Sequence, residues 1–321
     1  MTRILAQTEG DAQASGGLRP LSAGATAMIL LTAALWGGTP VAVKYSTDTL
    51  GPIAVSGIRF ALAAVFMLLW CRLERSSLRL KRGQVFPCVV LGVLLFAQIA
   101  LFTVGIDWSN ASHGSLLINT FIFCVAGIEH FITREHRLSL TGLAGLVIAA
   151  TGAALIVLFP GEAVTASESN APSLMGDAIL LVSAVLLGIK IVYTKQAVKS
   201  VEPGKLIFWH DLFGVVLFAA VSMAFEETTF EDFTMPAVWG LLYQGVVVAG
   251  FCFAVQAVLL KRYSASQLSV FSFSTPLFGV TLAVLFRGDR LSGWLFVAAV
   301  LVAAGILIVN RQPADKRDLT N

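Results

Sequence analysis

Charge is what this chain most lacks. Only 13% of its 321 residues are Asp, Glu, Lys or Arg, about half the roughly 25% of a soluble domain. By contrast 57% are hydrophobic and the mean hydropathy is +0.83. So few charges cannot cover a water-facing surface, and the chain reads as an integral membrane protein. The net charge of +3 is carried in short loops, which reads as a topology signal and excludes a nucleic-acid-binding patch. Cysteine is also scarce. Cys71, Cys88, Cys124 and Cys252 lie in or beside apolar runs without metal-ligand spacing, so they read as packing residues, and neither a metal nor another cofactor is expected. His113, His130, His136 and His210 form no zinc or nucleophile spacing with Cys, Ser or Asp, and no G-x-S-x-G occurs. A phosphate-binding G-x-x-x-x-G-K-S/T loop is missing too, which leaves a gradient as the energy source for any transport. No cleavable signal precedes the first apolar run, so that run is expected to stay as a helix.

What is present is a series of ten apolar runs, at roughly 25–46, 52–71, 84–106, 111–132, 139–159, 174–197, 204–225, 236–260, 264–286 and 291–310. About 20 apolar residues cross a bilayer as a helix. The expected fold is therefore an all-α integral membrane protein of ten transmembrane helices. A polar connection from Gly161 to Ser173 divides the chain into five plus five. The predicted organisation is a tail at 1–24, a first repeat at 25–159, an outer linker at 160–173, a second repeat at 174–310 and a tail at 311–321. With both termini in the cytoplasm, 17 Lys and Arg fall on inner loops and tails and only 3 on outer ones, which fixes the orientation.

The halves repeat. N-A-S-H-G-S-L-L-I-N-T-F from Asn110 and S-A-S-Q-L-S-V-F-S-F-S-T from Ser264 each lead to an Arg-x-x-Arg-Leu-Ser hairpin. Gly37 matches Gly188, Lys44 matches Lys195 and Pro52 matches Pro203, each 151 residues apart. Five helices per repeat is an odd number, so the two repeats are expected to insert upside down relative to each other, as in transporters that alternate access around a midplane site.

These residues resemble the EamA-like branch of the drug/metabolite transporter superfamily. The first helix, L-W-G-G-T-P-V-A-V-K from Leu35, and the following Pro52 and Gly57-Ile58-Arg59-Phe60 carry the likeness at Trp36, Gly37, Lys44, Pro52 and Arg59. Ala111, Ser112, Asn119 and Glu135 in one half, and Ala265, Ser266, Ser274, Pro276 and Asp289 in the other, are similar to the family's fourth and ninth helices. The Pro expected in helix four is Ile122 here, which leaves a kink there open. The resemblance implies inward termini, residence in the bacterial inner membrane and secondary transport, commonly export of amino acids, other metabolites or toxic small molecules.

Charge within the membrane is costly, so each such residue is a functional candidate. Arg59 either attracts a substrate carboxylate or phosphate, or anchors loop carbonyls. Lys44 reads as a snorkelling interfacial residue. Lys190, His210 and Asp211 lie at similar depth, where a Lys190–Asp211 pair either serves proton or substrate coupling with His210 or locks two helices. Gln98, Asn119, Thr120, Gln256, Ser272 and Thr275 supply uncharged polar groups to a cavity, and Trp36 and Tyr243 an aromatic wall. The expected partners are a small-molecule substrate, the lipid bilayer and protons as coupling ion, in a monomer or weak homo-oligomer. A secondary active exporter is the leading reading. A receptor or scaffold without transport is the alternative, and an intramembrane enzyme comes last.

Overall fold

The computed structural model describes residues 22–133, 140–158, 172–227, 234–263, 265, 268, 274–289 and 293–310. Ser272, the hairpin at 134–139, most of the linker and nearly all of both tails lie outside the described residues. Among the described residues every regular element is a helix. Seven helices are long and apolar enough to cross a membrane.

The first span, Ala23–Thr47, is two helices, α1 (Ala23–Gly37) and α2 (Thr39–Thr47), broken at Gly38. Pro40 has no N–H to offer the carbonyl one turn back, and the Gly38 N–H turns onto Leu35 O and Trp36 O instead. Next come α3 (Pro52–Leu73) and α4 (Arg82–Asp107). The fourth span, Ala111–Thr133, is α5 (Ala111–Ile118) and α6 (Phe121–Ile128) followed by a π-turn, with a break at Asn119–Thr120. This break needs no proline. Asn119 Nδ2 donates to Ser115 O (2.7 Å) and Thr120 Oγ1 to Leu117 O (2.7 Å), and these side-chain bonds compete with the helical ladder. The backbone there tightens into i→i+3 turns, from Thr120 N to Leu117 O and from Phe123 N to Thr120 O.

After α7 (Leu140–Leu158) come α8 (Leu174–Ala197) and α9 (Pro203–Phe225). A 28-residue span follows, made of α10 (Met235–Leu242), a π-helical stretch (Tyr243–Cys252) and α11 (Phe253–Arg262). The chain closes with α12 (Ser274–Arg287) and α13 (Gly293–Asn310). Helices α7, α12 and α13 occupy the predicted fifth, ninth and tenth runs but are not among the seven that qualify as spans.

Helix ends are closed from far along the chain. The exposed N–H groups at the start of α3 are taken by Glu226, which accepts from Ile53 N (2.8 Å) and Ala54 N (2.7 Å) and is braced by Ser222 Oγ at 2.8 Å. Replacing Glu226 with Ala removes this cap and is expected to cost about 1–2 kcal/mol. The check is a lower thermal midpoint in detergent, and an unchanged midpoint would show the cap to be idle. At the other end of the loop system, Lys44 does not snorkel. It is buried and its ammonium caps the end of α4, donating to Asp107 O (2.8 Å), Ser109 O (3.3 Å) and Ile106 O (3.5 Å).

The sequence repeat reappears as contacts. Lys195 Nζ donates to Tyr263 O (2.9 Å) as Lys44 does to Ser109 O. A Cβ placed on Gly37 would lie 2.7 Å from Phe278 Cβ and 3.0 Å from Thr275 O. One placed on Gly188 would lie 2.6 Å from Cys124 Cβ and 3.1 Å from Phe121 O. Gly92 meets Phe213 Cβ and His210 O as Gly245 meets Leu62 Cβ and Arg59 O. Each glycine contact joins one half to the other, and exchanging the halves returns an equivalent contact. Small residues at these crossings let backbones approach closely, which is how helices associate in lipid. The interior is completed by an aromatic column in which Phe60 stacks on Phe218 (5.9 Å) and Phe96 and Phe253 flank them at 5.1 and 6.1 Å.

Candidate functional site

Both broken spans border one cavity. Its walls come from α1 and α2 (Trp36, Gly37, Thr39, Pro40), α3 (Arg59), α4 (Gln98, Ile99, Phe102), α5 and α6 (Ser115, Ile118, Phe121), α8 (Leu187, Ile191), α11 (Phe253, Gln256) and α12 (Thr275), together with Asn119 at the second break. Six predicted site residues therefore meet here: Trp36, Arg59, Gln98, Asn119, Gln256 and Thr275. The lining is mostly apolar with a few convergent polar groups, the usual make-up of a small-molecule site.

Among the described residues Arg59 is the one charged residue in the lining. It is 2% exposed, and its Nε and Nη1 have no hydrogen-bond partner among the described residues. Its guanidinium carbon stands 5.1 Å from the Phe60 ring centroid, a cation–π contact that offsets part of its desolvation. Nε and Nη1 lie on different edges of the guanidinium, and each has an N–H left for the oxygen of an anionic ligand such as a carboxylate or phosphate.

Lys190, His210 and Asp211 stand outside the lining, and the hydrogen bond of the Lys190 ammonium goes to Gln98 rather than to Asp211. Helix α8 packs on α4, so the Lys190 ammonium reaches Gln98 Oε1 at 2.9 Å and lies 4.8 Å from the Phe253 ring centroid. Gln98 is fixed in turn by Ser183, its Nε2 donating to Ser183 Oγ (3.2 Å) and its carbonyl accepting from the same hydroxyl (2.8 Å). Asp211 is fully buried. His210 Nδ1 is 2.8 Å from Asp211 Oδ1, but the two are not aligned for a hydrogen bond, and neither carboxylate oxygen has a hydrogen-bond donor among the described residues. The imidazole is held between Phe60 (6.4 Å) and Phe253 (6.2 Å).

Two further predicted residues shape the breaks. Thr120 spends its hydroxyl on Leu117 O. Tyr243 donates its hydroxyl to Leu35 O and sits against Gly38, so it staples the break in the first span. Ser272 lies outside the described residues.

Sequence reasoning did not single out Thr39 and Ser115, whose only signal is a place beside Trp36-Gly37 and Asn119. It also passed over a buried network at the end of α4, where Ser109 Oγ donates to Asp177 Oδ1 (2.6 Å) and His113 Nδ1 meets Asp177 Oδ2 (2.8 Å).

The pattern of the EamA-like transporter family matches residues 24–158 and 174–311. Among curated relatives, "Uncharacterized transporter YoaV" of Bacillus subtilis is 26% identical over 281 residues, covering 87% of this chain and 94% of the relative. A "Probable amino-acid metabolite efflux pump" of Escherichia coli is 23% identical over 290 residues, covering 88% and 93%. One chain solved by crystallography superposes with a TM-score of 0.69 at 18% identity, covering 90% of this chain and 98% of its own. That likeness is one of fold.

Proposed function

We propose, from the premise that this chain belongs to the EamA-like transporter family and is a multi-pass membrane transporter rather than an enzyme, that it exports a small amphipathic metabolite bearing an acidic group. The observation that carries this reading is Arg59, a buried guanidinium whose Nε and Nη1 have no hydrogen-bond partner among the described residues, in a mostly apolar cavity. The cargo's acid takes the Arg59 fork, and its body lies against Trp36, Phe102, Phe121 and Phe253. A relative named as an amino-acid metabolite efflux pump supports cargo of this size and charge.

Ten helices in two inverted five-helix repeats, at 25–159 and 174–310 with the linker at 160–173, would place this cavity between the halves. The glycine contacts that return on exchange of the halves support such an arrangement. The placement of Lys and Arg supports both termini and their tails in the cytoplasm, and membership of the family supports residence in the bacterial inner membrane. Export runs by alternating access and is driven by a proton gradient or by exchange. A proton-carrying role for the Asp211 carboxylate is supported by its burial beside His210 without a hydrogen-bond donor among the described residues. The protein works as a monomer or weak homo-oligomer.

The experiment is uptake into proteoliposomes, with an amphipathic acid inside or outside and an imposed proton gradient. Movement of the acid that responds to the gradient supports the reading, and a broad acid panel with no mover defeats it. Asp211→Asn is expected to lower gradient-driven transport by about tenfold or more while leaving exchange of cargo across the membrane measurable. Unaltered gradient response in Asp211→Asn would remove Asp211 from the coupling.

A further inference from the structure

A second cleft opens where α3 and α11 finish and α1 and α9 begin, and it shares no lining residue with the cavity that holds Arg59. Its charged residues all stand at helix ends. Glu74 follows α3, Glu202 precedes α9, and Lys261 and Arg262 end α11. The apolar lining lies deeper, with Met28 more than a turn inside α1 and Val255 about two turns from the end of α11. Glycine brings α9 in against α3 at one wall. A Cβ on Gly204 would lie 3.1 Å from Cys71 Sγ and 3.6 Å from Trp70 Cδ1.

Two of the charges at the rim are exposed, opposite in sign and unengaged. Among the described residues the side chains of Lys261 and Glu202 make no hydrogen bond or ion pair, with each other or with a third group. Comparable groups are engaged. Lys195 donates to Tyr263 O and Lys205 to Arg79 O, both close to this cleft. The residues that precede other helices, Ser22, Asn110, Ser173 and Thr234, bond first-turn N–H groups, whereas Glu202 makes no such bond to α9. Glu74 and Arg262 add one further charge of each sign, so the rim is balanced overall.

An occupant that fits this cleft is apolar in its depth and carries both signs of charge at its rim. The flanking helices also present an apolar surface outward, with Leu30 and Leu31 of α1 and Leu69 and Leu73 of α3 exposed, as helices that face lipid do. We propose that the cleft binds a membrane phospholipid whose headgroup ends in a primary ammonium. Its phosphate lies towards Lys261 and Arg262, in the way basic pockets between membrane helices hold lipid headgroups. Its ammonium, with three N–H donors, lies towards Glu202 and Glu74. The upper acyl chains lie against Met28, Val258 and Trp70, an indole at the depth where such rings meet headgroups.

The test uses the purified full-length protein in detergent with three phospholipids of identical acyl chains. Phosphatidylethanolamine has the primary ammonium, phosphatidylcholine a methylated one without N–H, and phosphatidylglycerol no cation. Native mass spectrometry is expected to show phosphatidylethanolamine bound about fivefold more tightly than the other two, and it should raise the thermal midpoint the most. Glu202→Gln should bring phosphatidylethanolamine and phosphatidylglycerol within about twofold of each other. Lys261→Gln should weaken binding of all three by about threefold. Both side chains are exposed, and the comparison of lipids on the wild-type protein stands without either variant. Equal binding of the three lipids, tightest binding of phosphatidylglycerol, or a preference that survives both substitutions overturns the proposal. Glycerophosphoethanolamine, the same headgroup without acyl chains, should leave the midpoint unchanged. A rise as large as the lipid gives would make this a site for a soluble zwitterion and overturn the lipid assignment.

Discussion

Arg59→Gln is expected to lower the initial rate of acid transport by about a hundredfold or more. The Gln side chain keeps much of the bulk but removes the charge and the planar fork, and losing one partner of a buried charge-assisted pair costs about 3–5 kcal/mol. Arg59→Lys should recover only part of the rate, because a point ammonium cannot bind both oxygens of a carboxylate from one position. The measurement is uptake into proteoliposomes, with thermal unfolding of each variant alongside. A merely structural Arg59 gives a different pattern: both variants lose thermal stability, but the folded protein transports at the wild-type rate. That pattern would remove Arg59 from the binding site and with it the main support for an acidic cargo.

Gly37→Val and Gly188→Val are expected to act as a matched pair, each lowering transport to below about a tenth. Even a Cβ at Gly37 would sit 2.7 Å from Phe278 Cβ and 3.0 Å from the Gly279 nitrogen, and at Gly188 2.6 Å from Cys124 Cβ. Overpacking of this sort costs about 1–3 kcal/mol. Here the backbones of two spans must separate to relieve it. Gly24 and Gly127 have no atom within 4 Å of a built Cβ, so alanine at either is the control and should transport normally. Full activity in Gly37→Val would show that α1 and α12 do not need their close approach. A defect in only one of the two valine variants would show that the seams, though alike in contact, differ in use.

Much of this architecture is legible in the residues. The Lys44/Lys195 and Pro52/Pro203 spacings and the shared Arg-Leu-Ser hairpins point to repeated units because lysine and proline are rare enough in apolar helices to carry register, and Lys44 and Lys195, like Gly37 and Gly188, make corresponding contacts in the structure. Arg59, Gln98, Asn119 and Gln256 stand out as a charged and three amide side chains deep within largely apolar runs. Depth along a helix can be counted at 1.5 Å per residue, but azimuth cannot. That is why Lys190 and Asp211 read as partners from their level, although α8 turns Lys190 onto Gln98 of α4. Thr39 and Ser115 are illegible for a further reason. Small hydroxyls are common in membrane helices, where most bond the preceding turn, and only the packed structure reveals which ones do not. The Ser109–His113–Asp177 network joins α4, α5 and α8 across two loops, which no local spacing announces.

The two interrupted spans differ in how permanent the interruption is. At Gly38 the first span is broken next to Pro40, whose missing N–H no rearrangement can supply. At Asn119–Thr120 every residue retains its N–H, and the competing bonds come from an amide and a hydroxyl that a change of rotamer would release. The fourth span is thus able to anneal into a continuous helix, lengthening its ladder and rotating everything beyond the join, while the first cannot. Of two arms that border the same cavity, one is a fixed elbow and the other a joint that can straighten.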